Sequence, residues 1–372
     1  MCGEQEIVSS ISNIPMGSPP RVRGTAAEAE RDAQEARQKA EAEREAMQAE
    51  VDEEKEEAHK KIDRSRQLWA LSKATIADSA KRQAVTWARR KRAGQKLNLT
   101  EREYERQAEA YKRMLEEVLD GDREQTEQAL REYANAVGLG DRQDALLSVL
   151  TPTILQKTIP PAYFLDMHAG RDYIAYQGEG AIRLCKDVED WNGRETALRH
   201  ETGHYFDKAI LKRSYRANAE GKVSVTNDPL GIQEAFEEDR RRLAKRRPPV
   251  TFRIGNETFT TEEFKKAGAR GGVNYASWEL YRKLEEAVAE KLNVPKWANE
   301  VQEYCGQIVD AIQSVMGRGY SAGHKNQYVT ERLNTNIEAI AQITSAIFGV
   351  DFLSDIFPNA YTKIKAIYEE GE

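Results

Sequence analysis

The stretch His200-Glu201-Thr202-Gly203-His204 decides how this chain is interpreted, because it holds two of only five histidines. On a helix, residues four positions apart lie on one face, one turn from each other. The two imidazoles could therefore hold one metal ion, and Glu201 would direct its carboxylate at the water bound to that metal. The pattern predicts a zinc site that carries out metal-assisted hydrolysis.

Residues around the motif predict a helix from Arg194 to about Leu211. Its apolar residues supply a face that packs into the protein, and this leaves the two histidines and Glu201 to line the opposite side, toward a cleft. The face that packs into the protein is formed by Thr196-Ala197-Leu198, Tyr205-Phe206 and Ile210-Leu211. The alternative is that both histidines are surface residues of an amphipathic helix.

A catalytic zinc site has three protein ligands and one open position for water. Metzincins place a third histidine ten positions after the first, but Ile210 stands there in this chain. The third ligand is therefore expected to be an acid from a later helix. Two segments offer one, around Glu234 and around Glu338.

The pattern His-Glu-x-Gly-His-x-x-Asp, which ends at Asp207, resembles the motif of the anthrax lethal-factor-like zinc metallopeptidases, which are gluzincins. In that family the third ligand is the glutamate of a downstream Glu-x-hydrophobic-Ala helix, and a Phe-Pro-x-x-Tyr ending follows. Residues 338–341 and 357–361 match these two features. The resemblance implies a zincin-like fold, peptide hydrolysis and Zn²⁺ as the cofactor, with Glu338 as the third ligand and Glu234 as the fallback.

This resemblance covers roughly Tyr163 to Tyr361 and does not include the N-terminal part. The interval between the motif and Glu338 is long for the family, which implies an insertion at about residues 212–325. Phage-encoded minor head proteins also carry domains similar to this one, often with Gly-His and a following tyrosine before the third-ligand helix. Residues 323–328 show that feature, which implies a viral origin.

Zinc chemistry assigns the remaining roles. Zn²⁺ lowers the pKa of its water to about 7, so Glu201 would take the proton as general base and return it to the leaving amine. Tyr328 and His324 are candidates to stabilise the oxyanion, although both are also explained as packing residues of a loop. Asp207 would either hold a zinc-ligand histidine through its free ring nitrogen or anchor a neighbouring loop. Gly203 would permit close approach of a packed strand or helix.

The whole chain is expected to be α+β and predominantly helical. Residues 1–24 are predicted to be a disordered tail, 25–150 a charged helical arm followed by a helical hairpin, and 151–372 a zincin-like domain with a small sheet beside the motif helix. Thr100 with Glu103 predicts a capped start of the hairpin. Ala181–Cys185 is predicted to be a strand that either accepts an extended substrate or is an ordinary member of the sheet, and Asp166 and His168 are expected in a loop.

Composition limits the partners. The net charge of −6 points to neither nucleic acid nor an acidic ligand, and the basic clusters at 89–92 and 240–247 are expected to be solvated helix faces. Three widely spaced cysteines fit a reducing compartment, and no apolar run predicts a membrane span. We expect a protein or peptide substrate, an assembly partner for the arm, and a cytoplasmic or virion-associated location. A structural or virion-assembly protein that keeps a zincin-like scaffold is the alternative function.

Overall fold

The fold is taken from a computed structural model, which divides the chain into two compact units, Met1–Arg64 and Ser65–Glu372. The structure describes most of the second unit and, in the first, mainly residues 37–53. The described ranges of the second unit are 100–120, 123–139, 143–166, 175–176, 181–185, 194–245, 248–268, 275–317 and 335–370. Among the described helices, none has the length and apolar content that a bilayer crossing requires.

In the first unit, residues 37–53 are helical and exposed along their whole length. Alanine, glutamate, lysine and arginine are strong helix formers, which explains the helix without any core. Exposed pairs such as Lys39–Glu43 lie one turn apart and add a small stabilisation. This agrees with the predicted charged helical arm.

The first two long described ranges of the second unit form the predicted helical hairpin, with α1 (Glu101–Asp120) and α2 (Arg123–Ala136). The capping box is confirmed: the Glu103 N–H donates to Thr100 Oγ1 at 3.2 Å, and the Thr100 N–H donates to Glu103 Oε2 at 2.7 Å. Two short helices, α3 (Gln143–Val149) and α4 (Pro152–Lys157), follow.

A three-stranded sheet comes next, in the spatial order β1, β3, β2. The strands are β1 (Ala162–Asp166), β2 (Ala175–Tyr176) and β3 (Ala181–Cys185), with β3 parallel to β1 and antiparallel to β2. The strand prediction for 181–185 is confirmed. The loop prediction for Asp166 is wrong, because Asp166 ends β1 in register with Cys185; His168 lies outside the described residues.

The motif helix is α5 (Arg194–Ala209), close to its predicted bounds. The described residues of the stretch predicted as an insertion form two β-hairpins and four helices, and two further helices lie in the described range 335–370. In order these elements are β4 (Ser214–Ala217), β5 (Val223–Asn227), α6 (Ile232–Leu243), β6 (Thr251–Ile254), β7 (Glu257–Thr260), α7 (Thr261–Gly268), α8 (Tyr275–Leu292), α9 (Asn299–Met316), α10 (Ile337–Ile347) and α11 (Pro358–Glu369).

The core forms where α5 packs along α10, and α9 covers α10 from another side. Phe206 of α5 makes an edge-on contact with Tyr368 of α11, at a centroid distance of 5.7 Å. Asp239 of α6 is fully buried and binds the start of α11 through the backbone N–H of Ala360 at 2.9 Å. The unpaired N–H groups of this helix N-terminus offset part of the cost of burying a carboxylate, although burial still raises the pKa of Asp239.

The helical hairpin belongs to the same compact unit as these elements. Its Tyr111 hydroxyl donates to the backbone oxygen of Pro160 at 3.0 Å, and Tyr133 contacts β1. The prediction of an α+β, predominantly helical chain is confirmed.

Candidate metal centre

The motif helix α5 brings the two histidines together as their spacing predicts. Their Nε2 atoms lie 3.1 Å apart, and the two rings are nearly perpendicular, at 82°. Both residues are half-buried, on a helix whose Leu198 and Phe206 are fully buried. The histidine side of α5 is therefore the side that remains accessible, as the sequence indicates.

Glu338 supplies a carboxylate at the same point. It lies in the first turn of α10, and its Oε2 is 3.4 Å from His200 Nε2 and 3.6 Å from His204 Nε2. One candidate ligand atom from each of the three residues can be chosen so that all lie within 4.8 Å of one another. Glu234, the fallback ligand, is instead exposed on α6, so the acid that the structure brings to the histidines is Glu338.

Gly203 explains how α10 comes so close to the motif helix. A Cβ atom added at Gly203 would lie 2.7 Å from Ala341 Cα and 2.9 Å from Thr344 Cβ. Real carbon atoms in contact keep about 3.5–4.0 Å between them, so only glycine fits at this crossing. The predicted role of Gly203 in close helix packing is therefore confirmed.

Electrostatics favour the charged forms of two of the three candidate ligand side chains, Glu338 and His204. Burial disfavours the ionised forms of Glu338 and His204, but for each of them the neighbouring charges and hydrogen bonds together outweigh it, with the Glu338–His204 attraction the largest of these contributions. The pKa of the Glu338 carboxyl consequently lies well below its usual range, and the pKa of His204 lies above that of an ordinary histidine. Two nitrogens and a carboxylate oxygen that converge in this way require a proton or a cation between them.

Glu201 and Asp207 take different positions on α5. Glu201 is half-buried, and its charge contributes to raising the pKa of His204. Asp207 is buried and pairs with Arg213, whose Nη1 lies 3.2 Å from Asp207 Oδ1, while the hydroxyl of Tyr215 donates to Asp207 Oδ2. Of the two roles predicted for Asp207, these contacts favour anchoring of the following segment, since both partners lie just after α5.

Two predicted oxyanion donors, Tyr328 and His324, lie outside the described residues. The structure therefore does not test the catalytic assignment of Tyr328, which stays a prediction.

The sheet beside α5 has one edge closed by the helical hairpin. A single hydroxyl, that of Tyr133, accepts the backbone N–H of Tyr163 at 2.5 Å and donates to the backbone oxygen of the same residue at 2.8 Å. The Tyr163 hydroxyl in turn lies 3.0 Å from Thr202 Oγ1 in the motif. At Tyr163, the Tyr133 side chain therefore occupies the edge of β1 that faces away from β3.

The strand Ala181–Cys185 is the central strand, with β1 on one side and β2 on the other. Its residues Ile182 and Arg183 are paired with Tyr176 and Ala175. An incoming strand therefore cannot pair with β3 there, because both of its edges are taken. Within the described part of the sheet, β2 is the edge without a pairing partner, so Ala175–Tyr176 replaces 181–185 as the candidate for substrate pairing.

Tyr133 and Arg213 are two structurally important residues that were not predicted from the sequence. Tyr133 belongs to a helical pattern that predicts only a core position, and nothing local indicates that its hydroxyl reaches a strand 30 residues later. Arg213 follows the motif helix as one of many basic residues. The Arg213 side chain is completely buried, and this is what distinguishes it from the other basic residues. The burial of a single arginine cannot be recognised from the sequence.

No protein-family model, no curated protein and no solved structure matches this chain.

Proposed function

We propose that this chain is a zinc-dependent endopeptidase with a zincin-like fold, and that it hydrolyses peptide bonds in a protein substrate. The observation that carries the proposal is the convergence of His200, His204 and Glu338 on one point. Two of these residues come from one helix and the third from a helix far along the chain. The resemblance to lethal-factor-like peptidases adds the reaction class.

The distances between the candidate ligand atoms fit zinc. Atoms about 2.1 Å from a tetrahedral ion lie about 3.4 Å from one another, and the three separations here are 3.1, 3.4 and 3.6 Å. Two imidazoles and one carboxylate form a known set of catalytic zinc ligands that leaves a fourth position open. When bound, zinc supplies a Lewis acid for the scissile carbonyl and a water molecule of lowered pKa.

Glu201 serves as the general base in this proposal. It directly follows His200 on α5 and is half-buried, so its carboxylate stays near the histidine cluster without being sealed from solvent. It takes a proton from the attacking water and passes it to the leaving amine. His200, His204 and Glu338 hold their positions through the step, because the packing of α5 on α10 fixes them.

An extended peptide would bind along the β2 edge. Among the described strands, β2 has a side that pairs with no other strand, whereas Tyr133 occupies the β1 edge at Tyr163. Strand addition binds a substrate through its main chain and reads its alternate side chains. This favours an unfolded or extended segment of a protein as the substrate.

The experiment measures metal content and proteolysis on the full chain. We expect about one zinc per chain and cleavage of casein, or of the chain itself, by the wild type. Glu201→Gln should abolish cleavage and retain zinc, because the amide cannot accept the proton. Glu195→Gln, on the same helix and paired with Arg199, is the matched control and should cleave normally.

Two results would count against the proposal. A wild type that binds no zinc after incubation with the metal would refute the metal centre. Zinc retained without cleavage of any substrate, including co-purified partners, would favour the alternative of a structural or virion-assembly protein.

A further inference from the structure

A buried charge network begins at Asp207 of the motif helix, about one turn after the candidate metal ligand His204. The guanidinium of Arg213 is completely buried and forms ion pairs with Asp207 Oδ1 at 3.2 Å and Asp228 Oδ1 at 3.4 Å. Burial of a charge is costly, and removing one partner leaves the others uncompensated. A network of this kind therefore holds its members in one geometry.

The chain reaches this position through a tight reversal at the end of the motif helix. Lys212 has a φ of 56°, and the backbone N–H of Arg213 donates to the Asp207 oxygen at 3.1 Å. The reversal turns the Arg213 side chain back under α5. Asp207, in the last turns of α5, is thereby tied to Arg213 through both backbone and side chain.

The other end of the network is the start of α10. Arg213 Nη2 donates to the backbone oxygen of Thr335 at 2.8 Å and to Gln233 Oε1 at 3.3 Å. Gln233 Oε1 also accepts the side-chain amide of Asn336 at 3.1 Å. Asn336 is the residue before α10, and Glu338 lies in the first turn of that helix.

We infer that Arg213 is a positioning residue for the third metal ligand. It joins Asp207, the last residue of the His-Glu-x-Gly-His-x-x-Asp pattern, to the backbone that places Glu338. The aspartate of the pattern thus acts on the metal centre through Arg213 and the start of α10. Gly203 sets the separation of α5 and α10 where the two helices cross. Arg213 sets it at the N-terminal end of α10, which carries Glu338.

This inference rests on the proposed zinc site, and its test uses zinc affinity rather than proteolysis. The zinc dissociation constant is measured by competition with a chromophoric chelator. The visible spectrum of the cobalt(II)-loaded protein reports the coordination geometry, and urea unfolding of the metal-free protein reports its stability. Only the first two measurements distinguish a positioning role from a purely structural one.

Two variants weaken the network by different amounts. Arg213→Lys keeps the charge but loses the planar fork that reaches several acceptors at once. Asn336→Gly removes only the amide that contacts Gln233, and glycine accepts the positive φ of 56° at this position without strain. If Arg213→Lys fails to fold, Asn336→Gly still tests the branch of the network that runs from Arg213 through Gln233 to the start of α10.

Asp239→Asn is the matched control. Asp239 is equally buried and binds the start of α11, through Asn359 and Ala360, rather than the start of α10. Its substitution should lower stability while leaving zinc affinity and the cobalt spectrum unchanged.

We expect Asn336→Gly, and Arg213→Lys where it folds, to weaken zinc binding at least about tenfold and to change the cobalt spectrum. Wild-type zinc affinity in both variants, with stability lowered as in Asp239→Asn, would overturn the inference and leave the proposed function intact. A wild type that binds neither zinc nor cobalt would instead refute the proposed function and, with it, the basis of the inference. Zinc binding without proteolysis, lost on network substitution, would support the positioning role.

Discussion

Substitution of Gly203 by alanine tests the helix crossing on which the metal centre depends. The new Cβ would lie 2.7 Å from Ala341 Cα and 3.0 Å from the Ala341 oxygen. Both are backbone atoms, so α10 has to move by roughly 1 Å to restore van der Waals separation. Metal ligands tolerate displacements of only about 0.2 Å, and Glu338 moves with α10.

The expected stability change has two opposing contributions. Alanine in place of glycine inside a helix stabilises by about 1 kcal/mol, whereas overpacking of a core costs about 1–3 kcal/mol. Because the contact at Gly203 is with backbone that cannot rotate away, the overpacking cost should lie at the upper end. We expect Gly203→Ala to lose about 2 kcal/mol of unfolding free energy and at least about tenfold in zinc affinity.

Gly306 in α9 provides the matched control, since nothing lies within 4 Å of a Cβ added there. Gly306→Ala should stabilise the protein by up to about 1 kcal/mol and bind zinc as the wild type does. The assays are urea unfolding of the metal-free protein and chelator competition for zinc. A Gly203→Ala protein as stable as the Gly306→Ala protein, with wild-type zinc affinity, would refute the reasoning.

Two further predictions concern protonation and the sheet edge. Burial lowers the pKa of His204, but the charge and hydrogen bond of Glu338, together with the charges of Glu201 and Asp207, raise it by more. Because zinc has to displace the proton of His204, zinc affinity should begin to fall with decreasing pH above the ordinary histidine pKa of about 6.5. Chelator competition between about pH 5 and 8 measures this, and a pH-independent affinity would contradict it. Tyr133→Phe leaves the buried backbone N–H and oxygen of Tyr163 without their shared hydrogen-bond partner. We expect it to lower the unfolding free energy, measured with urea, by about 1–3 kcal/mol. An unchanged unfolding free energy would show that the hydroxyl does not stabilise β1.

The parts of the fold that could be predicted are those whose signal is local. Helix α6 and the helices α8 to α11 repeat apolar residues at helical spacing, so their positions follow from the pattern alone, whereas the short helix α7 was not predicted. The capping box at Thr100 and Glu103 is likewise a short-range signal. The motif and the Glu-x-hydrophobic-Ala segment identified the two helices that meet at the candidate site.

The elements that were missed depend on distant partners. Strand β1 is a run of five residues without alternation, and its neighbour β3 begins 19 positions later, at Ala181. The hairpin of β4 and β5 is an exception, because its strands do alternate polar and apolar residues, as in residues 223–226; both runs are short and mostly exposed, and they were not predicted. Arg213 could not be assigned because its partners Asp228 and Thr335 lie on segments that meet it only in the folded chain.

The contact of Tyr133 with β1 also determines which truncated forms of the protein keep the sheet edge covered. Unprotected strand edges recruit strands from other molecules and cause aggregation, so a shortened protein that starts at residue 151 would uncover β1 and precipitate or form intermolecular sheets. A cut at Arg64, where the two compact units divide, keeps the helical hairpin on β1. Recombinant fragments for metal-binding and proteolysis assays should therefore begin near Ser65, so that they retain α1 and α2, which cover the β1 edge.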